Sequence, residues 1–272
     1  MRRPLLLAAL TTTLAACASS TPPEPRSPEV RAPPATLTNG PDPGPEAPPA
    51  DGKETSCPPD AAETEPACIY AAVVKKIPRR LDIDRAVEPY AGNLTDVKKA
   101  YDHDFATAHT LAGELEPVAA RAEPRDLTIR ARIRQATLFD VVRQRLAGAE
   151  PPRVKLYTDK EDALLEKAAS SGDPNLAAMS QELRKRREEM FQSARENWLQ
   201  AAEAPMVRHY ADALLRAKAS RLETAEIDRA RARYGHWGEL LGDAKMKAYT
   251  EGLVDPTNGK PFVHAPGALD RP

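Results

Sequence analysis

The chain has 272 residues, with 39 basic side chains against 40 acidic ones, a net charge of −1 and 5% aromatic residues. A balance of this kind offers no clustered positive surface to displace the counterions of nucleic acid, so nucleic acid is not among the expected partners. With few rings to bury, the core must be built from Leu, Ala, Val and Ile, and no run of 18 apolar residues exists that would cross a bilayer as a helix.

Residues 1–16 have the three parts of an export signal: Arg2 and Arg3, the apolar stretch Leu5 to Leu10, and small residues ahead of a cut site. LAAC at Leu14–Cys17 resembles the lipobox of bacterial lipoproteins. In that pattern a branched residue and two small ones precede a cysteine that receives diacylglycerol and is then cleaved on its N-terminal side. Small side chains at Ala15 and Ala16 let a peptidase approach the backbone, and the Cys17 thiol is the nucleophile that forms the thioether. The resemblance implies that Cys17 is the mature N-terminus and a membrane anchor, and that two or three acyl chains on it hold the protein stably. Ala18, standing where an aspartate would favour inner-membrane retention, implies the outer membrane of a Gram-negative bacterium, with the body facing the periplasm or the cell surface.

Residues 17–65 form a tether. Between Pro22 and Pro66 lie 14 of the chain's 27 prolines, mixed with Glu, Ala and Ser and without apolar periodicity. Such a segment buries too little surface to offset its ordering entropy, so it is expected to be disordered with polyproline character. Its reach is on the order of 35 Å as a coil and roughly 130 Å when extended. With Cys17 assigned to lipid, Cys57 and Cys68 remain as an even pair in an oxidising compartment. A disulfide between them would close a short loop at the junction of tether and body, worth about 3 kcal/mol. Two free thiols or a metal pair is the alternative, although the CxxC spacing of redox and metal sites is absent.

Residues 66–254 read as a helical domain. ACIYAAVVKKI (67–77) is a short apolar helix ended by Pro78, and LDIDRAVEPYAGN (81–93) offers another ended by Gly92. From Leu94, the spacing of Val97, Tyr101, Phe105, Ala108, Leu111 and Leu115 puts them on one helix face, with Pro117 as a kink or stop. A second long helix is expected over 126–147, with Ile129, Ile133, Ala136, Val141 and Leu146 on one side and Gly148 as its end. PPRVKLY (151–157) is the single strand-like piece. Thr158 and Glu161 form a capping box for a helix through Ala169, and Asp173 with Pro174 opens the next. That helix is expected to run to about Ala204, with Leu176, Met179, Leu183, Met190, Ala194 and Trp198 as its stripe and Arg184–Arg187 outward. Two more helices follow Pro205, over 206–222 and 224–241, then a short one from Asp243 to Glu251 with Gly242 and Gly252 as stops. Residues 255–272 carry turn chemistry and are expected to be an irregular tail.

The fold class implied is all-α: an irregular helical bundle or a short helical array. FQSARENWLQAAEAP (Phe191–Pro205) resembles the second helix of a tetratricopeptide repeat, with a closing proline, and YDHDFATAHTLAGELEP echoes it faintly. No clean 34-residue period joins the two.

Chemistry is sparse. The densest polar cluster holds Asp102, His103, Asp104 and His109, but His103 and His109 lie six apart, a spacing that faces them in different directions. In YGHWGELLG, Tyr234, Trp237 and Leu241 share a face while Gly235 and Gly238 thin another, which would admit a neighbouring helix or a ligand. No HExxH, GxSxG, SxxK, Walker or haem-attachment motif occurs, so the sequence assigns no catalytic residue, metal ligand or cofactor. It points to a non-enzymatic envelope lipoprotein that binds another envelope protein. The alternative is an envelope enzyme or a small-ligand or metal binder using Asp102, His103 and His109, or the Tyr234–Trp237 region.

Overall fold

The computed structural model describes residues 57–58 and 62–269. The expected export signal, Cys17 and the expected tether up to residue 56 lie outside the described residues. Six helices carry most of the rest, so the protein is all-α as the composition predicts.

Helix α1, Pro66–Lys76, starts with Pro66 in its first turn, where the missing N–H costs nothing, and buries Cys68, Tyr70 and Val73. Cys68 is disulfide-bonded to Cys57, fixing the approach to α1. The helix expected over 81–91 does not form. Arg79–Leu81 makes one 3-10 turn, after which the chain runs to a two-residue strand, β1, Gly92–Asn93. Pro89 supplies no donor, Gly92 sits at φ 110°, and the amides of Tyr90 and Gly92 donate instead to the carbonyls of Arg145 and Arg153. β1 pairs in parallel with β2, Val154–Lys155, so the strand-like PPRVKLY contributes two ladder residues.

Helix α2, Leu94–Ala119, is capped by Asn93, whose side chain accepts from the Asp96 amide. The expected face is the one that packs: Val97, Tyr101, Ala108, Leu111 and Leu115 are buried, and Phe105 is half-buried at its edge. Pro117 does not end the helix. The bond it forgoes is that to the carbonyl of Gly113, an exposed residue in reach of water.

Helix α3, Arg125–Ala147, is the centre of the molecule. Its burial is not confined to the expected side but includes Thr128, Ala131, Gln135, Leu138, Phe139, Asp140 and Val142. The reason is positional: α2 and α5 both pack along it, and α1 and α6 touch it as well.

Helix α4, Asp159–Ala169, opens on the predicted capping box. The Glu161 amide donates to Thr158 Oγ1 at 3.3 Å and the Thr158 amide to Glu161 Oε2 at 2.8 Å. Helix α5, Pro174–Ser220, starts at the predicted Asp173 cap but is a single helix of 47 residues rather than two separated at Pro205. Pro205 forgoes only the bond to the carbonyl of Ala201, which is exposed, while its neighbours Ala202, Met206 and Val207 are completely buried. Phe191–Pro205 therefore lies within a helix and not at the end of one. The stripe assigned to the core also differs: Leu176, Met179, Leu183 and Met190 face solvent, while Ala194 and Trp198 are half-buried.

Helix α6, Ala225–Thr250, is capped by Thr224 and broken at Gly242, whose φ of 77° and ψ of 160° require glycine, so the predicted stop is real. The segment expected to be irregular makes a small hairpin of β3, Val254–Asp255, with β4, Lys260–Pro261. It then folds back onto the helices, burying His264 and Leu269, and Lys218 and Arg231 donate to the carbonyls of Ala268 and Leu269, each at 3.2 Å.

Candidate functional site

The cluster singled out by sequence, Asp102 to His109, comes apart on α2. Asp102 points out and pairs with Lys98 one turn earlier, at 2.5 Å. His103 is exposed. His109 lies edge-on to Phe105 and Phe139, with ring centroids 4.5 and 4.8 Å away, and loss of water there lowers its pKa. Asp104 turns inward, where it accepts from Arg80 Nε at 2.6 Å, from the Tyr90 hydroxyl at 3.1 Å and from Arg145. Among the described residues no group of three or more His, Cys, Asp and Glu is placed to hold a metal ion.

Among the described residues Asp104 is one of three carboxylates sunk beneath the helices, and the other two were not visible in the sequence. Asp140, on α3, is fully buried: its Oδ1 accepts from Gln144 Nε2 at 2.7 Å, and its Oδ2 from the Tyr210 hydroxyl at 2.9 Å and Trp237 Nε1 at 3.3 Å. Glu203, on α5, accepts from Arg143 at 3.2 Å, Tyr249 at 3.3 Å and Lys245 at 3.4 Å. Burying a carboxylate is costly unless each lone pair has a donor, and these three meet that condition by joining helices distant in the chain. Burial and the nearby Asp140 charge push the Tyr210 hydroxyl well above its ordinary pKa, so it stays a donor.

No protein-family model matches the chain, and no curated protein or solved structure is significantly similar to it. Functional inference therefore rests on three features of the surface.

One is the Tyr234–Trp237 region. Tyr234 and Trp237 are buried and Leu241 half-buried, as expected of a packed face. Beside Gly235 and Gly238 runs a pocket of about 300 Å³, its far wall formed by residues 264–269. The Tyr234 hydroxyl and His264 Nδ1 are hydrogen-bonded at 2.8 Å, and His264 Nε2 stands 3.8 Å from Asp243. This resembles a relay in outline, but burial pushes the Tyr234 pKa up, opposite to what a nucleophile needs, and lowers that of His264. What the pair does is fasten the tail to α6.

Another is a cleft of about 80 Å³ where α3, α5 and α6 meet the loop after the 3-10 turn, walled by Ile83, Ile133 and Ala230 and edged by Arg134, Arg229 and Arg233. Asp84, Thr137, Tyr210 and Glu226 complete it.

The last is an arm made by α4 and the first half of α5. No residue of α4 is buried. Few bonds tie the two helices: Ser180 Oγ donates to the Leu165 carbonyl at 2.8 Å, Arg184 pairs with Asp162 at 2.7 Å and Arg187 with Glu161 at 3.5 Å, while Arg187 also donates to the carbonyl of Leu156, ahead of α4, at 2.9 Å. Tyr157 lies under the guanidinium groups of both arginines, so RKRR is spent partly on holding the arm together. Along the arm Leu164, Leu176, Met179, Leu183 and Met190 are 39–72% exposed.

Proposed function

We propose that this protein is a lipid-anchored envelope lipoprotein, attached to the outer membrane through Cys17, whose helical body is a non-enzymatic module for binding another envelope protein. The observation that carries this reading is the apolar stripe on the arm. Leu176, Met179 and Leu183 follow each other at intervals of three and four, and Met190 comes two turns later, the spacing that lays a continuous seam along a helix. Elsewhere in the same molecule that pattern is buried; here it faces water, with flexible methionines of the kind that adapt to a partner's surface. Tyr157, Arg184 and Arg187 brace the arm from beneath, so the seam is presented on a stiffened support. An enzyme or metal-binding role for Asp102, His103 and His109 draws less support, since the three side chains diverge, and the Tyr234–His264 pair is raised and lowered in pKa in the senses that disfavour catalysis.

The test is an in-cell crosslink. A photo-reactive side chain at Met179 or Met190 is expected to give a discrete adduct that Leu183→Asp removes while leaving the circular-dichroism spectrum unchanged. Adducts with abundant neighbours alone would refute the binding role. Palmitate labelling that survives Cys17→Ser would refute the anchor separately.

A further inference from the structure

We propose that the arginine cleft between α3 and α6 is a binding site for a small oxyanion, the carboxylate or phosphate head of a ligand whose remainder extends past Arg229 into solvent. The inference is independent of the arm and its partner. Charge in the cleft is unevenly matched. Arg134, on α3, has its Nε enclosed with no hydrogen-bond acceptor; the rest of its guanidinium meets the Tyr70 side chain and feels the Glu226 and Asp84 carboxylates, the latter 3.8 Å from Nη1. Arg233 points toward Asp140 but stops at 3.9 Å, because the Asp140 oxygens are already taken by Tyr210, Trp237 and Gln144. Glu226 is held by Arg130 at 3.2 Å. Arg229, at the exposed rim, has no carboxylate within 4 Å among the described residues. Guanidinium groups from two helices thus line one space, three of them against the two carboxylates Asp84 and Glu226, while Thr137, which also borders it, directs its hydroxyl to the Arg134 carbonyl.

The cleft is large enough for a head group: about 80 Å³, where about 10–15 Å³ holds one water, is room for a carboxylate or phosphate. Ile83, Ile133 and Ala230 supply apolar wall between the charged and polar groups, which lowers the local dielectric and strengthens a charge-assisted bond to a guanidinium there. The planar fork of a guanidinium matches two oxygens of an oxyanion at once, and this is the geometry that a Lys at the same positions would not provide.

The experiment is calorimetric titration of the full chain, purified in detergent, with inorganic phosphate and separately with acetate, at constant ionic strength set by chloride. Saturable binding of either ion is expected, weakened about tenfold or more by Arg229→Glu. Arg229 is exposed and has no carboxylate within 4 Å among the described residues, so this variant keeps its fold where Arg134→Gln would disturb the centre of the molecule; its melting temperature is measured alongside. Stronger binding of phosphate identifies a phosphoryl head, and of acetate a carboxylate. Absence of saturable binding for both ions, or binding that Arg229→Glu leaves intact, overturns the proposal.

Discussion

Replacing Asp140 by Asn and by Leu separates what its charge contributes from what its oxygens contribute. In the native protein three donors converge on it, Gln144 on Oδ1 and Tyr210 and Trp237 on Oδ2, and Arg233 stands 3.9 Å off. Asn has nearly the same shape and keeps an acceptor toward Tyr210 and Trp237; its amide then meets Gln144, which turns its own amide over to accept. Only the charge assistance is lost, and two or three bonds falling from charged to neutral strength sum to roughly 2 kcal/mol. Leu removes the acceptor. Tyr210 and Trp237 are almost wholly buried and reach no water, so two stranded donors at about 1–3 kcal/mol each, plus an uncompensated Arg233, predict a loss of about 3–5 kcal/mol. Urea unfolding followed by tryptophan fluorescence and circular dichroism reads both changes. With a slope of roughly 2–3 kcal/mol per molar, the Leu variant should move its midpoint down by about 1–2 M, and Asn by about half of that. A Leu variant equal to or more stable than the Asn variant would refute the reasoning, since it would mean that the desolvation of Asp140 outweighs its bonds.

Histidine should set the pH dependence of stability between neutral and mildly acid conditions. His209, stacked on Phe139, is pushed down to about 4, first by burial and then by the Arg132 charge, whereas an unfolded histidine titrates near 6.5. Its contribution is complete above pH 6.5 and is lost as pH falls toward 4, because the unfolded chain takes up the proton first; the total is about 3 kcal/mol at most, and His209→Phe should flatten the slope in that window. An unchanged slope would remove His209 from the account. Cys57→Ser should lower stability by up to about 3 kcal/mol and make the wild-type response to reductant disappear, Cys57 being chosen because it is exposed while Cys68 also packs. Pro205→Ala should stabilise by about 1–2 kcal/mol by restoring the bond to Ala201; a loss of stability would show that the proline ring is itself a packing element of α5.

What the sequence made legible is what local chemistry decides. Thr158 with Glu161, Asp173 with Pro174, and the φ-positive Gly242 each act within a turn of themselves, and each marks the boundary it predicts. The face of α2 was legible because that helix lies on one side of the core and so buries a single stripe. Errors occurred where the decision was tertiary. The proline rule places a break at Pro205, but it prices only the local cost, and the burial of its neighbours Ala202, Met206 and Val207 outweighs one bond surrendered to water. The stripe from Leu176 to Met190 has the periodicity of a core face, and periodicity alone does not tell a face that meets its own protein from one that is left uncovered.

The same limit explains why the site was missed. A net charge of −1 suggests a surface with nothing to attract an anion, but the count treats all charges as if they were outside. Asp104, Asp140 and Glu203 are each at most 2% exposed and their charge is absorbed by donors inside the fold. Arg134 on α3 and Arg233 on α6, by contrast, lie on helix faces that read as ordinary wet ones and are brought to one cleft by the packing of the two helices. A near-neutral composition thereby yields a local excess of guanidinium, and the quantity that decides ligand charge is where the acids are buried, not how many there are. Arg229→Glu probes that distinction directly, because it reverses the charge at the rim while leaving each of the three buried carboxylates with its donors.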